Sequence, residues 1–307
     1  MSGLFHRRPR ERNGAGSTVP GASPSNAAAG PLSNDWRTYD SIAGTYERIH
    51  ARRLEIVAAD LVSVAGVAAG QRVLDVGTGT GVVAEAARRA GAVAVGIDAS
   101  PAMLAVAREA RPEVPVAAAA AIDLPFRDAT FDVVTAGFVL SHFHKLDTAM
   151  FDLIRVLKPG GRLAVTSWAE TEDEFQRTWR ELIEQLATHE MLDDAMRRAM
   201  PNEERFRDKR RLEQALRDAR LRPVDVEQRQ YRFVMALDDY IDGRTTTTSG
   251  RFLRDMLGDD AWSSFLERAR ATFRERFPDP LTDFRDVNLA VATKPADYVA
   301  ANAQGRA

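Results

Sequence analysis

The chain has 307 residues, with 42 Lys+Arg against 44 Asp+Glu and a net charge of −2, so it lacks the cationic excess that neutralises nucleic-acid phosphates or anionic lipid surfaces. It contains no cysteine, which excludes a disulfide framework, zinc–thiolate sites and a thiol nucleophile. At roughly 150 residues per domain, the length allows about two domains, or one domain with a tail and insertions.

Residues 1–34 are poor in large apolar side chains and rich in Gly, Ser, Pro and Ala. Such a segment cannot bury enough surface to offset its ordering entropy, and a disordered tail is expected. Arg7, Arg8, Arg10 and Arg12 against Glu11 give it a net +3, which leaves the rest of the chain at −5. No apolar stretch follows these arginines, so no secretory signal is expected. The longest apolar run, Val114 to Ile122, contains Pro115 and falls far short of the ~20 residues that span a bilayer. A soluble, cytoplasmic protein is expected.

Apolar residues at helical spacing, Tyr39, Ile42, Tyr46 and Ile49 and then Leu54, Val57, Leu61 and Val64, predict two helices, the second closed by Gly70. Arg72 to Val76 reads as a buried strand. There follow strand Ala92–Ile97, helix Pro101–Ala110, strands near Val116 and at Phe131–Ala136, helix Asp147–Val156 and strand Gly161–Ser167. This alternation marks βαβ units on a parallel sheet. Thr171 to Met200 reads as helical, with Phe175, Trp179, Leu182, Ile183 and Leu186 on one core-facing stripe. Helix Leu212–Ala219, strand Val224–Phe233, a helical stretch Leu237–Phe277 interrupted from Gly243 to Gly250, and a strand near Val287–Thr293 complete the chain. The fold class is therefore α/β: a Rossmann-like, mostly parallel seven-stranded sheet with an antiparallel edge hairpin. One domain is expected over residues 35–295, with helical insertions at about 169–211 and 237–281 covering the site and a short tail at 296–307.

Val73-Leu74-Asp75-Val76-Gly77-Thr78-Gly79-Thr80-Gly81 places three alternate glycines between a strand and a helix. There the backbone can turn sharply and approach a ligand at the positive end of a helix. Asp98 ends the next strand, where an acid can accept both hydroxyls of a ribose. Together they imply an adenosine-type ligand. Gly79 to Ala84 also satisfies G-x-G-x-x-A, so the loop by itself leaves a nicotinamide oxidoreductase open. Asp75 tilts the balance, because its charge opposes a pyrophosphate but can pair with an ammonium.

Val73 to Gly81, Gly96 to Leu104, Leu124-Pro125-Phe126 with Phe131 to Val134, and Leu157-Lys158-Pro159-Gly160-Gly161 resemble the successive motifs of class I S-adenosylmethionine-dependent methyltransferases. The Tyr39-Asp40 to Tyr46 segment is similar to the small-molecule branch that includes ubiquinone and menaquinone biosynthesis methyltransferases. The resemblance covers about Trp36 to Ser167. It implies S-adenosylmethionine as cofactor, with Gly77 and Gly79 against the methionine moiety, Asp75 receiving its ammonium and Asp98 holding the ribose. It further implies Ala99 and Met103 on one side of the adenine, Ala121 and Ile122 on the other, Gly137 and Phe138 beside the sulfonium, and Tyr46 closing the methionine end. One position departs from the family, where an Asp commonly precedes Leu-Pro-Phe by four residues. Ala120 stands there.

Methyl transfer needs positioning and desolvation, plus a base when the acceptor loses a proton. His142 is the candidate base, since histidine titrates near neutrality. His144 is expected to be more exposed. Carboxylates suited to a catalytic metal are missing after the fourth and fifth strands, so none is expected. The acceptor lining is expected to be apolar and aromatic, from Phe138, Phe143, Trp168 and the insertions. It suits a hydrophobic or aromatic small molecule, such as a quinone precursor, methylated on oxygen or carbon. A scaffold or a catalyst of a non-methyl reaction on the same fold remains an alternative. No nucleic-acid partner or membrane span is expected, and the oligomeric state is open, a homodimer included.

Overall fold

A computed structural model describes residues 37–171 and 173–298; the expected tail over 1–34 and all but the start of the one over 296–307 lie outside them. Seven strands form one sheet: β1 Arg72–Val76, β2 Val93–Asp98, β3 Val116–Ala118, β4 Phe131–Gly137, β5 Leu157–Trp168, β6 Val224–Met235 and β7 Leu281–Thr293. Their order is β3-β2-β1-β4-β5-β7-β6. The first five run parallel, and β7 pairs antiparallel with both β5 and β6. The hairpin partner β7 therefore lies inside the sheet, and β6 forms the edge. Strand order reverses between β1 and β4, which opens a crevice at their carboxyl ends, the place where open α/β sheets bind ligands.

Both faces of the sheet are covered, which is why most residues of β1 and β4 are buried on either side of the strand. On one face, α3 (Arg52–Val64) and α4 (Val82–Arg89) pack over Val73, Val133 and Leu289. On the other, α6 (Leu146–Val156) and α10 (Lys209–Asp218) pack over Leu74, Val134 and Leu163. Between β2 and β3, α5 (Pro101–Ala110) starts on a Ser100 cap that accepts from the Met103 amide, with Pro101 in its first turn. Ser100 Oγ also donates to Asp40 Oδ1 at 2.6 Å. That bond joins the short helix α1 (Arg37–Asp40) to the sheet's carboxyl edge.

The N-terminal segment differs from the two helices predicted. Helix α2 (Ala43–Tyr46) runs through a π-helical turn, Glu47–Ala51, directly into α3. The apolar stripe steps five residues from Ile49 to Leu54, and the wider turn absorbs that step without breaking the helix. Gly66 closes α3 instead of Gly70: it is left-handed at φ +60°, and the Val67 amide reaches back to Val62 at 3.1 Å.

The segments after β5 and β6 form a helical cap with its own core. Helices α7 (Glu174–Ile183) and α8 (His189–Ala199) pack with α11 (Leu237–Thr245), α12 (Thr248–Leu257) and α13 (Asp259–Arg276) around Trp179, Ile241, Leu253 and Phe273. Short helix α9 (Glu203–Arg207) leads on to α10. Gly243 and Gly250 are helical, so the break in the second insertion is confined to Thr246–Thr247, with a further turn at Gly258. The threonine run Thr245 to Thr248 is engaged in the fold. Thr246 Oγ1 and Thr247 Oγ1 donate to the carbonyls of Gly243 and Arg244, and Thr247 caps α12 through the Gly250 amide. Gly250 is required there, because a Cβ would sit 2.2 Å from the Arg244 carbonyl.

Phe273 is fully buried, with ring centroids 5.5 Å from Tyr240 and 5.2 Å from Phe277. Phe273→Ala is expected to cost about 3–5 kcal/mol in urea unfolding. A loss below about 1 kcal/mol would contradict the placement of this side chain in the cap core.

Candidate functional site

The turn after β1 is built from three left-handed glycines, Gly77 at φ +67°, Gly79 at +55° and Gly81 at +91°, a conformation that residues with a Cβ rarely adopt. At Gly77 a Cβ would lie 2.4 Å from Val139 Cγ2, whereas at Gly79 nothing lies within 4 Å of the same position. Gly77 is thus packed by the chain itself, and Gly79 presents bare backbone to open space. The Thr78 amide donates to the Ile97 carbonyl and the Gly79 amide to Asp98 Oδ2 at 2.8 Å. Asp98 Oδ1 accepts from the Ser100 amide at 2.9 Å. A carboxylate offers about four lone-pair positions, so each oxygen keeps acceptor capacity for a ligand.

Tyr46, Asp75, Gly77, Gly79, Gly137 and Phe138 line one recess together with apolar residues of α3. Asp75 is 1% exposed and locked: Thr78 Oγ1 donates to Oδ2 at 2.6 Å and Thr135 Oγ1 to Oδ1 at 2.8 Å. Burial raises its pKa to about 6, against the lowering effect of those hydroxyls. Phe138, left-handed at φ +56°, stacks on Trp168 with centroids 4.4 Å apart. A non-glycine residue in that region is strained, and here it turns the aromatic face of Phe138 onto Trp168 at the mouth of the sheet.

The other expected residues are placed less uniformly. Ala99 follows Asp98 and is half-buried, and Met103 is buried against Ile42 and Ala43 of the N-terminal segment. Ala121 is half-buried and Ile122 is 38% exposed on the far side of the crevice. His142 lies outside the recess lining, in the 3₁₀ turn Leu140–His142, with its Nε2 3.2 Å from the Tyr39 hydroxyl. Phe143 packs against the opposite core, over α6, and does not join Phe138 and Trp168 as expected. Among the described residues no group of three His, Asp or Glu side chains is placed to hold a metal. Nor does any described helix have the length and apolarity to cross a membrane.

Sequence reasoning missed several buried polar residues at this edge. Arg111 donates from Nη1 to Glu47 at 2.9 Å and to the Thr80 carbonyl at 2.8 Å, clamping the π turn onto the glycine loop. His50, in that turn, contacts Thr246 Oγ1 at 2.8 Å through Nε2 and the Arg53 guanidinium at 2.8 Å through Nδ1. Arg251 lies 4.8 Å over the Tyr39 ring. No local pattern marks these positions, since each depends on a partner far along the chain.

Residues 74–165 match a family described as a methyltransferase domain. The matched span holds the glycine loop, Asp98 and the turn after β4. The chain is 40% identical over 109 residues to a demethylmenaquinone methyltransferase of Renibacterium salmoninarum, covering 36% of this chain and 46% of that protein. It is 36% identical over 146 residues to one of Thermobifida fusca, covering 43% and 59%. The matches thus span about half the length of these relatives. By structure, the chain is similar to a Haemonchus contortus phosphoethanolamine N-methyltransferase 2 bound to S-adenosylmethionine (TM-score 0.51, 21% identity, 83% of this chain and 57% of that one). It is also similar to the 4+2 cyclase SpnF (TM-score 0.52, 18% identity, 84% and 95%). These likenesses establish the Rossmann-like methyltransferase fold.

Burial lowers the His50 pKa to about 3, with Arg53 adding to the effect, and burial with Arg251 lowers that of His142 to about 4. Both rings are neutral at pH 7. Unfolding lets them rebind protons below an unfolded value of about 6.5, so stability is full above that pH and falls as pH drops toward 4. Each contributes a slope of up to about 1.4 kcal/mol per pH unit. The raised carboxyls Asp75 and Asp283 act with opposite sign below about pH 6, so the test is the difference: the wild-type thermal midpoint is expected to lose more between pH 7 and 5 than that of His50→Gln. An equal slope in the variant would contradict the burial of His50.

Proposed function

We propose that this protein is an S-adenosylmethionine-dependent methyltransferase whose acceptor is a small molecule with an aromatic body, methylated on oxygen or carbon. The observation that carries the reading is the pairing of Gly79 and Asp98. The open face of Gly79 admits a ligand against bare backbone, and Asp98 retains an acceptor position on each oxygen for a ribose diol. The residues at the crevice fit the cofactor in other respects. Gly77 and Gly79 would border its methionine moiety, with Asp75 buried beneath and Tyr46 closing the end of the recess. Ala99 and Met103 would flank the adenine opposite Ala121 and Ile122, without the carboxylate that Ala120 replaces. Gly137 and Phe138 would border the sulfonium.

When bound, S-adenosylmethionine supplies an electrophilic methyl group. The chain's own contribution is to orient the two reactants and keep water out. Phe138 and Trp168 give a stacked aromatic wall beside the recess, suited to a flat acceptor. His142 is the proposed base. Its ring, neutral through burial, has the Tyr39 hydroxyl on Nε2 and the Ala199 carbonyl as a second partner. That pairing fits an Nδ1–H donating to the carbonyl and an Nε2 free to accept, so a proton leaving the acceptor can pass through the Tyr39 hydroxyl to Nε2. A cytoplasmic location without a nucleic-acid partner belongs to the same proposal, on the net charge of −2.

The relatives named as demethylmenaquinone methyltransferases support a quinone-like acceptor. The likeness to a cyclase keeps a second reading in view, in which the same fold serves a reaction other than methyl transfer. Incubation with methyl-tritiated S-adenosylmethionine and a small-molecule extract is expected to move label into an organic-soluble product. Cofactor retained with no label moved would favour the second reading.

Asp98→Ala is expected to weaken S-adenosylhomocysteine binding roughly tenfold to hundredfold, and Gly79→Val to nearly abolish it. Wild-type affinity in both would refute the site. His142→Ala is expected to lower kcat by roughly 10²-fold or more and to flatten its pH profile. Turnover unchanged across pH would refute the base.

A further inference from the structure

Between the recess and the helical cap lies a cluster of buried polar groups that the reading above does not use. Arg53 Nε on α3, Gln176 Nε2 on α7, and the Tyr240 hydroxyl and Arg244 Nε on α11 are buried donors without a hydrogen-bond partner. Asp283 Oδ1 on β7 and Asp173 Oδ2 at the start of α7 are unpartnered oxygens in the same region. Leaving a buried donor unpaired is costly, so this many on elements that pack together calls for a ligand or solvent among them.

The charged and aromatic groups converge. Arg244 lies 5.7 Å over both the Trp179 and the Tyr240 rings, and Arg53 Nη1 is 3.9 Å from Asp283 Oδ2. Arg285, two residues along β7 from Asp283, lies 5.0 Å over the Trp168 ring, which stacks on Phe138. The cluster therefore adjoins the recess through the Trp168–Phe138 pair, on the side where the second reactant must lie.

Its charge is unbalanced. Among the described residues neither Arg244 nor Arg285 makes a salt bridge. The fields of Arg53, Arg244 and Arg285 all act on His50. Against these three guanidiniums stand Asp173 and Asp283. Burial, reinforced by Asp173, pushes the Asp283 carboxyl up. Even with both carboxylates charged, three guanidiniums face two acids, and the four donors have no acceptors. Arginine cannot shed its proton, so an anion is the group that answers both deficits. A planar carboxylate does so best, since its two oxygens match the guanidinium fork.

We propose that Arg244 and Arg285, with Gln176 and Tyr240, hold a carboxylate carried by the methyl acceptor, whose aromatic body lies against Trp168 and Phe138. The acceptor is then an aromatic acid and not a neutral quinone precursor. This deepens the methyltransferase reading and rests on it.

The test uses the full chain, saturated with S-adenosylhomocysteine, and two probes of the same shape, 1-naphthoate and 1-naphthamide, followed by tryptophan fluorescence and ligand-observed NMR. Naphthoate is expected to bind at least roughly tenfold tighter than naphthamide. Arg244→Gln removes that preference and Arg244→Lys keeps most of it, while S-adenosylhomocysteine affinity stays at the wild-type level in both. Arg285→Gln, on the sheet and not the cap, is the second variant and is expected to reduce the preference as well. Wild-type protein that binds S-adenosylhomocysteine but prefers neither probe overturns the inference and leaves the methyltransferase reading standing, as does a preference that survives both Gln variants. Failure of the wild-type chain to bind S-adenosylhomocysteine overturns that reading, and the inference with it.

Discussion

The hydrogen bond from the Gly79 amide to Asp98 Oδ2, with its neighbour from Thr78 to the Ile97 carbonyl, fastens the end of β1 to the end of β2. It can form only because the chain after β1 passes through three left-handed glycines, which turn successive amides toward the adjacent strand. The same turn exposes bare backbone at Gly79 and leaves the α4 N-terminus facing the crevice. Other contacts at this edge are braced on it. Asp75 ties to Thr78 of the loop from below, Arg111 clamps the Thr80 carbonyl from one side, and Asp40 holds the Ser100 cap from another. A chain that failed to make this turn would lose the ligand cradle and the anchor of its N-terminal segment together.

The cradle was legible in the sequence because each of its parts is a local requirement. Glycines with positive φ, an acid ending the next strand, and a Ser-Pro helix start are demands that neighbouring residues impose on one another. The strand and helix alternation was legible for the same reason, through periodicity. Where the prediction strayed, the cause was a tertiary choice. The five-residue step from Ile49 to Leu54 can be met by a break or by a π turn, and packing of both segments on one sheet face selects the turn. Phe143 could have faced either way after β4; the 3₁₀ turn sends it to the α6 side, while Phe138 goes to the α3 side. The threonine hydroxyls at 246 and 247 take their partners from the preceding helix's last carbonyls, a choice that a run of hydroxyls does not show by itself.

The buried polar cluster beneath the cap was the least legible. Its polar residues come from α3, α7, α11 and β7, which span more than two hundred residues of chain, and burial alone gives them their character. His50, Arg53, Arg244 and Arg285 look like ordinary surface residues in a chain rich in arginine. In the fold they sit beneath a cap whose core of Trp179, Tyr240 and Phe273 keeps water away, and there each charge matters more than it does in solvent. In the proposed reading the architecture divides the labour: the sheet edge, fixed by the glycine turn, would hold the cofactor, and the cap would select what is brought to it.

The central claim is that the carboxyl edge of β1 and β2 is shaped for S-adenosylmethionine and not for a dinucleotide, with which the Gly79–Ala84 spacing is also compatible. Isothermal titration of the full chain against S-adenosylhomocysteine and, separately, NADH tests it most directly. The account expects saturable one-to-one binding of S-adenosylhomocysteine and no heat of binding from NADH. Binding of NADH with no response to S-adenosylhomocysteine would contradict it.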